Sequence, residues 1–172
     1  MANFTERIIG AAKLDTHVYE EVEADTSATS QAMMVVILSA LSGGIGGISG
    51  GGFFVSTLAA LIGWLMWAFL TYTIGTRLLA EPQTNADLGQ LMRTLGFAQA
   101  PGLLRFFGLV PSVGPLFLGI IQVWILVAMV IAVRQALDYT TTGRAVSVCL
   151  IGWVASIFII VIVSLVFGPT AS

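Results

Sequence analysis

The sequence predicts an all-α fold, that of a polytopic helical membrane protein with five transmembrane helices and an N-terminal amphipathic helix. Three observations predict it: an apolar composition, long stretches without charge, and a sided distribution of the few charges. Of the 172 residues, 57% are apolar and 9% are charged, whereas a typical soluble domain has about 25% charged residues. A soluble domain of this length cannot bury so much apolar surface. The composition therefore excludes an ordinary water-soluble enzyme domain.

The N-terminal segment, residues 1–31, is the most polar part of the chain and is predicted to be an amphipathic acidic helix facing the inner side. Leu14, Val18 and Val22 recur at four-residue spacing, which places them on one face of a helix. Six of the nine acidic residues precede residue 26, and most of them lie off that face. The segment is therefore expected to lie on the membrane surface or on the loops.

The acidic side of this segment is a candidate face for docking on a partner or on the chain's own loops. It consists of Tyr19, Glu20, Glu21, Glu23 and Asp25. The expected counter-charges are the chain's own Arg77, Arg134 and Arg144, or basic groups of a partner. Exposed ion pairs of this kind add little to stability.

Residues 32–167 are predicted to form a five-helix membrane domain, because a spanning helix needs about 20 largely apolar residues. The five stretches are 32–49, 53–75, 91–110, 113–133 and 145–167. Four of them contain no charged residue. The second half of 32–49 is rich in glycine, which weakens a helix by about 1 kcal/mol per residue in water, so this helix is expected to loosen there.

The stretch 91–110 is the unusual span, since it contains Arg93 and Arg105 with Pro101 and Gly102 between them. As an α-helix, the distance between the two arginines is about 18 Å, which is shorter than the hydrocarbon core. Two interpretations stay open: a kinked span whose arginines reach the headgroups from both ends, or a re-entrant segment.

The distribution of basic residues favours five spans. With the N-terminus inside, six of the seven basic residues fall on the inner side and Arg105 is outside. A re-entrant third segment would change this split to five against two. The positive-inside rule prefers the more uneven split. It predicts an integral membrane protein with an inner N-terminus and an outer tail at residues 168–172.

The sequence carries no pattern typical of catalysis, of a metal or cofactor site, or of nucleic-acid binding. His17 and Glu21 share a helix face, but a metal site needs more ligands than two. Cys149 is the one cysteine, and the spans contain no set of nucleophile, base and orienting group. Seven basic residues against nine acidic ones give no positive surface for a nucleic acid. The chain is therefore predicted not to be an enzyme.

Two function classes remain, and they differ in the use of the polar groups within the membrane. A candidate intramembrane polar or kink site comprises Gln99, Pro101, Arg105 and Gln122. Glutamines in spans usually form interhelical hydrogen bonds, which fits a non-enzymatic scaffold, adaptor or membrane-organising protein. A broken helix with polar groups is also typical of transport sites, so the alternative is a small transporter or channel that uses the broken third helix.

Three stretches carry a family resemblance. Residues 15–32 lead from acidic residues into the first span, residues 91–101 read Leu-Met-Arg-Thr-Leu-Gly-Phe-Ala-Gln-Ala-Pro, and residues 111–124 begin with a proline turn and end at Trp124. Their order and spacing resemble the Yip family, the five-span membrane proteins named for interaction with Ypt/Rab GTPases, and in particular its compact prokaryotic members.

The resemblance implies five spans, an inner N-terminus and an outer C-terminus. For a prokaryotic member it implies the cytoplasmic membrane. The expected partners are the lipid bilayer and another membrane or inner-side protein, and a homo-oligomer is left open. Eukaryotic relatives act in vesicle trafficking, membrane shaping and Rab recruitment, which agrees with the scaffold interpretation.

Overall fold

The computed structural model describes residues 2–45, 52–110 and 112–167, and every regular element in these ranges is helical. The all-α prediction is therefore confirmed for this part of the chain. A π-helical turn at Ile74–Leu78 extends the helix Gly52–Thr73, and a 3-10 segment at Ala100–Leu109 follows the helix Leu88–Phe97. The α-helices are α1 (Phe4–Ala12), α2 (Thr16–Ala24), α3 (Ala28–Ile45), α4 (Gly52–Thr73), α5 (Leu88–Phe97), α6 (Gly114–Ala136) and α7 (Thr142–Phe167).

Three helical stretches of the described residues are long and apolar enough to cross a membrane: Thr57–Leu78, Gly114–Ala136 and Thr142–Ile159. At most 28% of each stretch is buried inside the protein. Their outer surfaces are therefore apolar, as lipid contact requires. Ala28–Gly43 is apolar but shorter. The end of the predicted first span, residues 46–49, and the predicted tail, residues 168–172, lie outside the described residues.

The third predicted span is broken into two helices of different type. α5 ends at Phe97, and the chain continues from Ala100 as a 3-10 helix with Pro101 in its first turn. Proline lacks the N–H that a continuing α-helix needs and disfavours the α conformation at the residue before it. Because a 3-10 helix rises about 2.0 Å per residue, the segment from Arg93 to Arg105 is longer than a continuous α-helix would be.

This broken segment runs alongside α3 in the same direction. Gly96 lies against Ala32, and Gly102 lies against Ser39. Further along, Ser42 Oγ donates to the Leu103 carbonyl at 2.7 Å. A side chain at Gly102 would collide with Ser39, so the close approach depends on this glycine.

Against α6 the broken segment runs in the opposite direction. Gly102 lies near Ile125, and Gly108 lies near Leu118. Together with the contacts to α3, these contacts indicate that the broken segment passes from the end of the bundle where α3 starts to the end where α6 starts.

The N-terminal segment forms two helices instead of the one predicted. α1 ends at Ala12, Leu14 takes a positive φ of 64°, and α2 starts at Thr16. Asp15 sets the new start, because its side chain accepts from the backbone N–H of His17 at 3.0 Å. Leu14 therefore does not continue the face of Val18 and Val22. We call α1 and α2 the N-terminal hairpin.

Candidate functional site

Arg7 joins the two helices of the N-terminal hairpin to each other and to α3. Its side chain is 3% exposed. Nη2 donates to Glu21 Oε1 at 2.8 Å and to Asp25 Oδ2 at 2.7 Å, and Nη1 donates to Gln31 Oε1 at 3.0 Å. The guanidinium thus binds two carboxylates and one amide that lie 14 to 24 residues further along the chain. Sequence analysis missed Arg7, since local spacing gives no sign of such distant pairing.

The Arg7 contacts correct the predicted docking face. Glu21 and Asp25 pair with Arg7, not with the loop arginines that the sequence named. The hydrogen bond from Arg7 lowers the pKa of Glu21 below its ordinary value. Hydrogen bonds from Ser27 and then from Arg7 lower the pKa of Asp25 to about 2. These two carboxylates therefore stabilise the hairpin, and their charges are already paired and not free to bind a partner.

Tyr19 is also a core residue of the hairpin and not part of a surface. Its side chain is fully buried, and its hydroxyl donates to the Ala11 carbonyl at 3.1 Å. Burial raises the pKa of this hydroxyl. Tyr19 lies three residues before the equally buried Val22, so both belong to the inward face of α2.

Glu20 and Glu23 are the predicted residues that remain at a surface. The Glu20 side chain is 58% exposed, and its Oε1 accepts from Gln135 Nε2 of α6 at 2.8 Å. Glu23 is half-buried, and its Oε1 accepts from Gln90 Nε2 of α5 at 3.1 Å. α2 is therefore fixed against the C-terminal end of α6 and the N-terminal part of α5.

Arg93 of α5 ties the broken segment to the hairpin without using a carboxylate. Its side chain is buried, and Nε donates to the carbonyls of Val22 and Glu23, both at 3.1 Å. These carbonyls belong to the last turn of α2, where no helical N–H reaches them. A cation is also favoured at this negative end of the helix dipole.

Two of the three arginines predicted as counter-charges, Arg134 and Arg144, bind groups of the loops at the same end of the structure. Arg144 pairs with Glu81 at 3.2 Å, and Arg134 Nε donates to the Tyr139 carbonyl at 3.3 Å. The Tyr139 hydroxyl in turn donates to the Gly75 carbonyl at 2.9 Å, and burial raises its pKa to about 12. The loops after α4 and α6 are thereby held together beside the N-terminal hairpin.

A cavity of about 300 Å³ lies among α3, α4, α6, α7 and the 3-10 segment. Gln99, Arg105 and Gln122 line it, so three of the four predicted intramembrane residues meet there. Pro101 is buried at the start of the 3-10 segment and does not line the cavity. Gln99 and Gln122 were expected to form interhelical hydrogen bonds, but within the described residues their side-chain amides form none. We call this space the polar cavity.

Two donors in the polar cavity lack an adequate acceptor. Arg105 Nη1 donates to Ser39 Oγ at 3.3 Å, and no carboxylate pairs with Arg105 within the described part of the chain. Trp67 Nε1 is buried and has no hydrogen-bond partner there either. Metal chemistry finds no support among the described ranges, since no three His, Cys, Asp or Glu side chains lie together.

Residues 17–164 match the family model of the Yip1 domain. The chain belongs to the Yip1 domain family. With its long apolar helices, this membership makes it an integral membrane protein and confirms the resemblance seen in the sequence. Neither a curated protein nor a solved structure matches it closely enough to be compared.

The Yip1 domain match includes α3 to α6, with the whole lining of the polar cavity, and nearly all of α2 and α7. It begins at His17 and thus includes Glu21 and Asp25 but not Arg7. The ion pairs of the hairpin therefore connect the Yip1 domain to a helix outside the match.

Glu23 gives this Yip1 domain protein an expected pH dependence. Burial raises its pKa from an ordinary 4.5 to about 7, and the negative charge of Asp138 contributes to the increase. Glu20 and Asp87 raise the pKa further, whereas the positive charge of Arg93 lowers it. The folded protein therefore binds this proton more tightly than the unfolded chain, and stability falls as pH rises from about 4.5 to 7.

The Glu23→Gln variant should lack this loss, so its melting temperature should exceed that of the wild type above pH 7. Thermal unfolding in detergent between pH 4.5 and 8 measures the difference. Glu21 and Asp25, with lowered pKa values, destabilise the protein only as pH falls below this window. Parallel curves for both proteins would contradict the role of Glu23.

Proposed function

We propose that this Yip1 domain protein is a non-enzymatic membrane scaffold or adaptor, and that it binds the basic segment of an inner-side protein. The observation that carries the proposal is a set of four carboxylates at one end of the helix bundle, where the fixed hairpin meets the start of α5 and the loop after α6. We call this set the acidic edge; it consists of Glu20, Glu23, Asp87 and Asp138. A recognition surface on a rigid element loses little conformational entropy on binding.

The electrostatics of the acidic edge support a basic partner. Glu20, Asp87 and Asp138 all raise the pKa of Glu23, so each of the three repels the charged form of Glu23. Glu20, Asp87 and Asp138 are exposed. A basic segment would relieve this repulsion and would also be attracted from a distance, as is usual for complementary charged surfaces.

Charge reversal at Glu20 should remove most of this binding, whereas a lysine elsewhere on the hairpin should not. A photo-crosslinking residue in place of the exposed Ala24, one turn after Glu20, would capture the partner in cells. Glu20→Lys should greatly reduce the captured product. Thr5→Lys, which adds a lysine to the exposed surface of α1, should leave its yield unchanged.

The same experiment can also contradict binding at the acidic edge. Equal yields from Glu20→Lys and Thr5→Lys would show that the acidic edge does not recognise the partner. So would a captured protein that contacts residue 24 through a segment without basic residues. Glu21 is unsuitable for this test, because its reversal would break the ion pair with Arg7.

We also propose five spans with the N-terminus inside. The direction of the broken segment, with α3 and against α6, supports a full crossing rather than re-entry. Contacts that link Arg7, Arg93, Arg134 and Arg144 to the hairpin or its neighbouring loops agree with the positive-inside rule.

A reporter fused after Ser172 tests this topology. A reporter that works only outside the cytoplasm should be active there, because five spans from an inner N-terminus leave the C-terminus outside. A matched fusion of the same reporter after Ala80, in the loop after α4, should be inactive. Activity of a cytoplasm-only reporter after Ser172 would exclude five spans.

A further inference from the structure

A second cavity adjoins the polar cavity inside the helix bundle. It measures about 200 Å³, and its walls are almost wholly apolar. Val130, Val146 and Leu150 belong to its lining alone, so we call it the apolar cavity. The residues that line both cavities are Trp67, Leu126, Met129 and Trp153. The two spaces are therefore neighbours on either side of these four side chains, and together they offer a polar half and an apolar half.

The polar half offers hydrogen-bond donors and a positive charge. Arg105 contributes a guanidinium whose partner among the described residues is the neutral Ser39 hydroxyl. Trp67 Nε1 is buried without an acceptor in the described structure, and an indole nitrogen can only donate. Uncompensated charges and unsatisfied donors are costly in an apolar medium. A negatively charged oxygen bound in this half would supply the counter-charge that Arg105 lacks among the described residues, whereas Trp67 Nε1 has almost no surface open to the cavity.

The site is open toward the surface that faces lipid. Trp153 is 58% exposed and Leu126 is 45% exposed, although both line the shared wall. The polar Gln122 is exposed beside them on α6. A ligand can therefore enter sideways from the bilayer between α6 and α7.

We propose that this site binds a single-chain anionic lipid, with its carboxylate at Arg105 and its acyl chain in the apolar cavity. The combined space falls within the range of small-molecule pockets, about 300–1,000 Å³, and an apolar cavity of about 150 Å³ already binds a benzene ring. It offers one apolar compartment, which fits one chain and not the two chains of a phospholipid.

Tryptophan fluorescence provides the readout. Trp64, Trp67 and Trp153 line the polar cavity, and bromine quenches tryptophan fluorescence at short range. A fatty acid brominated along its chain should quench the purified protein in nonionic detergent to saturation. Its methyl ester, which has the same chain without the charge, should bind much more weakly.

Arg105→Gln should weaken binding of the brominated fatty acid about tenfold, the effect of losing a charged hydrogen bond. Arg77→Gln removes an exposed arginine at the hairpin end and should leave binding unchanged. The comparison of acid and methyl ester on the wild-type protein decides the question if Arg105→Gln melts at a lower temperature than the wild type.

Several results would overturn the proposal. Equal binding of acid and ester would show that the site does not recognise an anionic head group. An Arg105→Gln variant that folds normally and binds as the wild type does would show the same. Displacement of the fatty acid by inorganic phosphate would assign the site to a soluble anion. Equal quenching by a brominated two-chain phosphatidylglycerol would assign it to bulk lipid.

Discussion

Replacing Arg7 with alanine should detach the N-terminal hairpin and lower the free energy of unfolding by about 3 kcal/mol. Removing one partner of a buried ion pair costs about 3–5 kcal/mol, because the other charge stays behind unpaired. The lower end applies here, since Glu21 keeps 28% of its side chain exposed to solvent. Gln31 would lose its partner at the same time.

Thermal unfolding in detergent and limited proteolysis of residues 2–31 measure this effect. Arg7→Lys should be intermediate, because one ammonium cannot reproduce the bonds that the guanidinium fork makes to Glu21, Asp25 and Gln31. Lys13→Ala is the matched control, since Lys13 is exposed in the same hairpin. If Arg7→Ala and Lys13→Ala were equally stable and equally resistant to protease, the ion pairs would not hold the hairpin.

The helices of the membrane domain follow from composition and length. The predicted spans 53–75, 113–133 and 145–167 each lie within or nearly within an observed helix, because a charge-free apolar stretch in lipid must satisfy its backbone internally. The interruption near Pro101 also follows from local chemistry. Its form, a ten-residue 3-10 segment, does not, since it depends on the packing of Gly102 against Ser39.

The hairpin shows the limit of reasoning from local pattern. The spacing of Leu14, Val18 and Val22 indicated one helix, and a turn stabilised by Asp15 divided it. The docking face was assigned from charge, but burial of Tyr19 and the partners of Glu21 depend on residues far away in the chain. Of that face, Glu20 remains the most exposed part.

For the polar cavity, the structure brings together residues that the sequence predicts as a polar site. Gln99, Arg105 and Gln122 were singled out as polar groups in apolar surroundings, and they do line one space. Local pattern does not indicate that tryptophans complete this cavity, because Trp67 and Trp153 come from α4 and α7. Aromatic residues in spans are common, and their shared site appears only when the helices pack.

The sequence alone does not distinguish a glycine at a close helix contact from a glycine in open surroundings. Gly96 and Gly119 both lie in predicted spans. A Cβ at Gly96 would lie 2.7 Å from Ala32 Cβ and 3.1 Å from the Ala32 carbonyl oxygen. A Cβ at Gly119 would meet nothing within 4 Å. The first glycine therefore permits α5 to contact α3, whereas the second faces open surroundings on α6.

Gly96→Leu should consequently lower the free energy of unfolding by about 3 kcal/mol, the upper part of the usual cost of overpacking, because the Ala32 backbone cannot move aside without separating α3 from α5. Gly119→Leu should cause no loss, since its side chain would face lipid and leucine favours a helix over glycine. Unfolding of both variants in detergent, followed by tryptophan fluorescence, compares them directly. Equal stability of the two variants would mean that the broken segment does not pack closely on α3, and the argument for a fifth span would lose its main support.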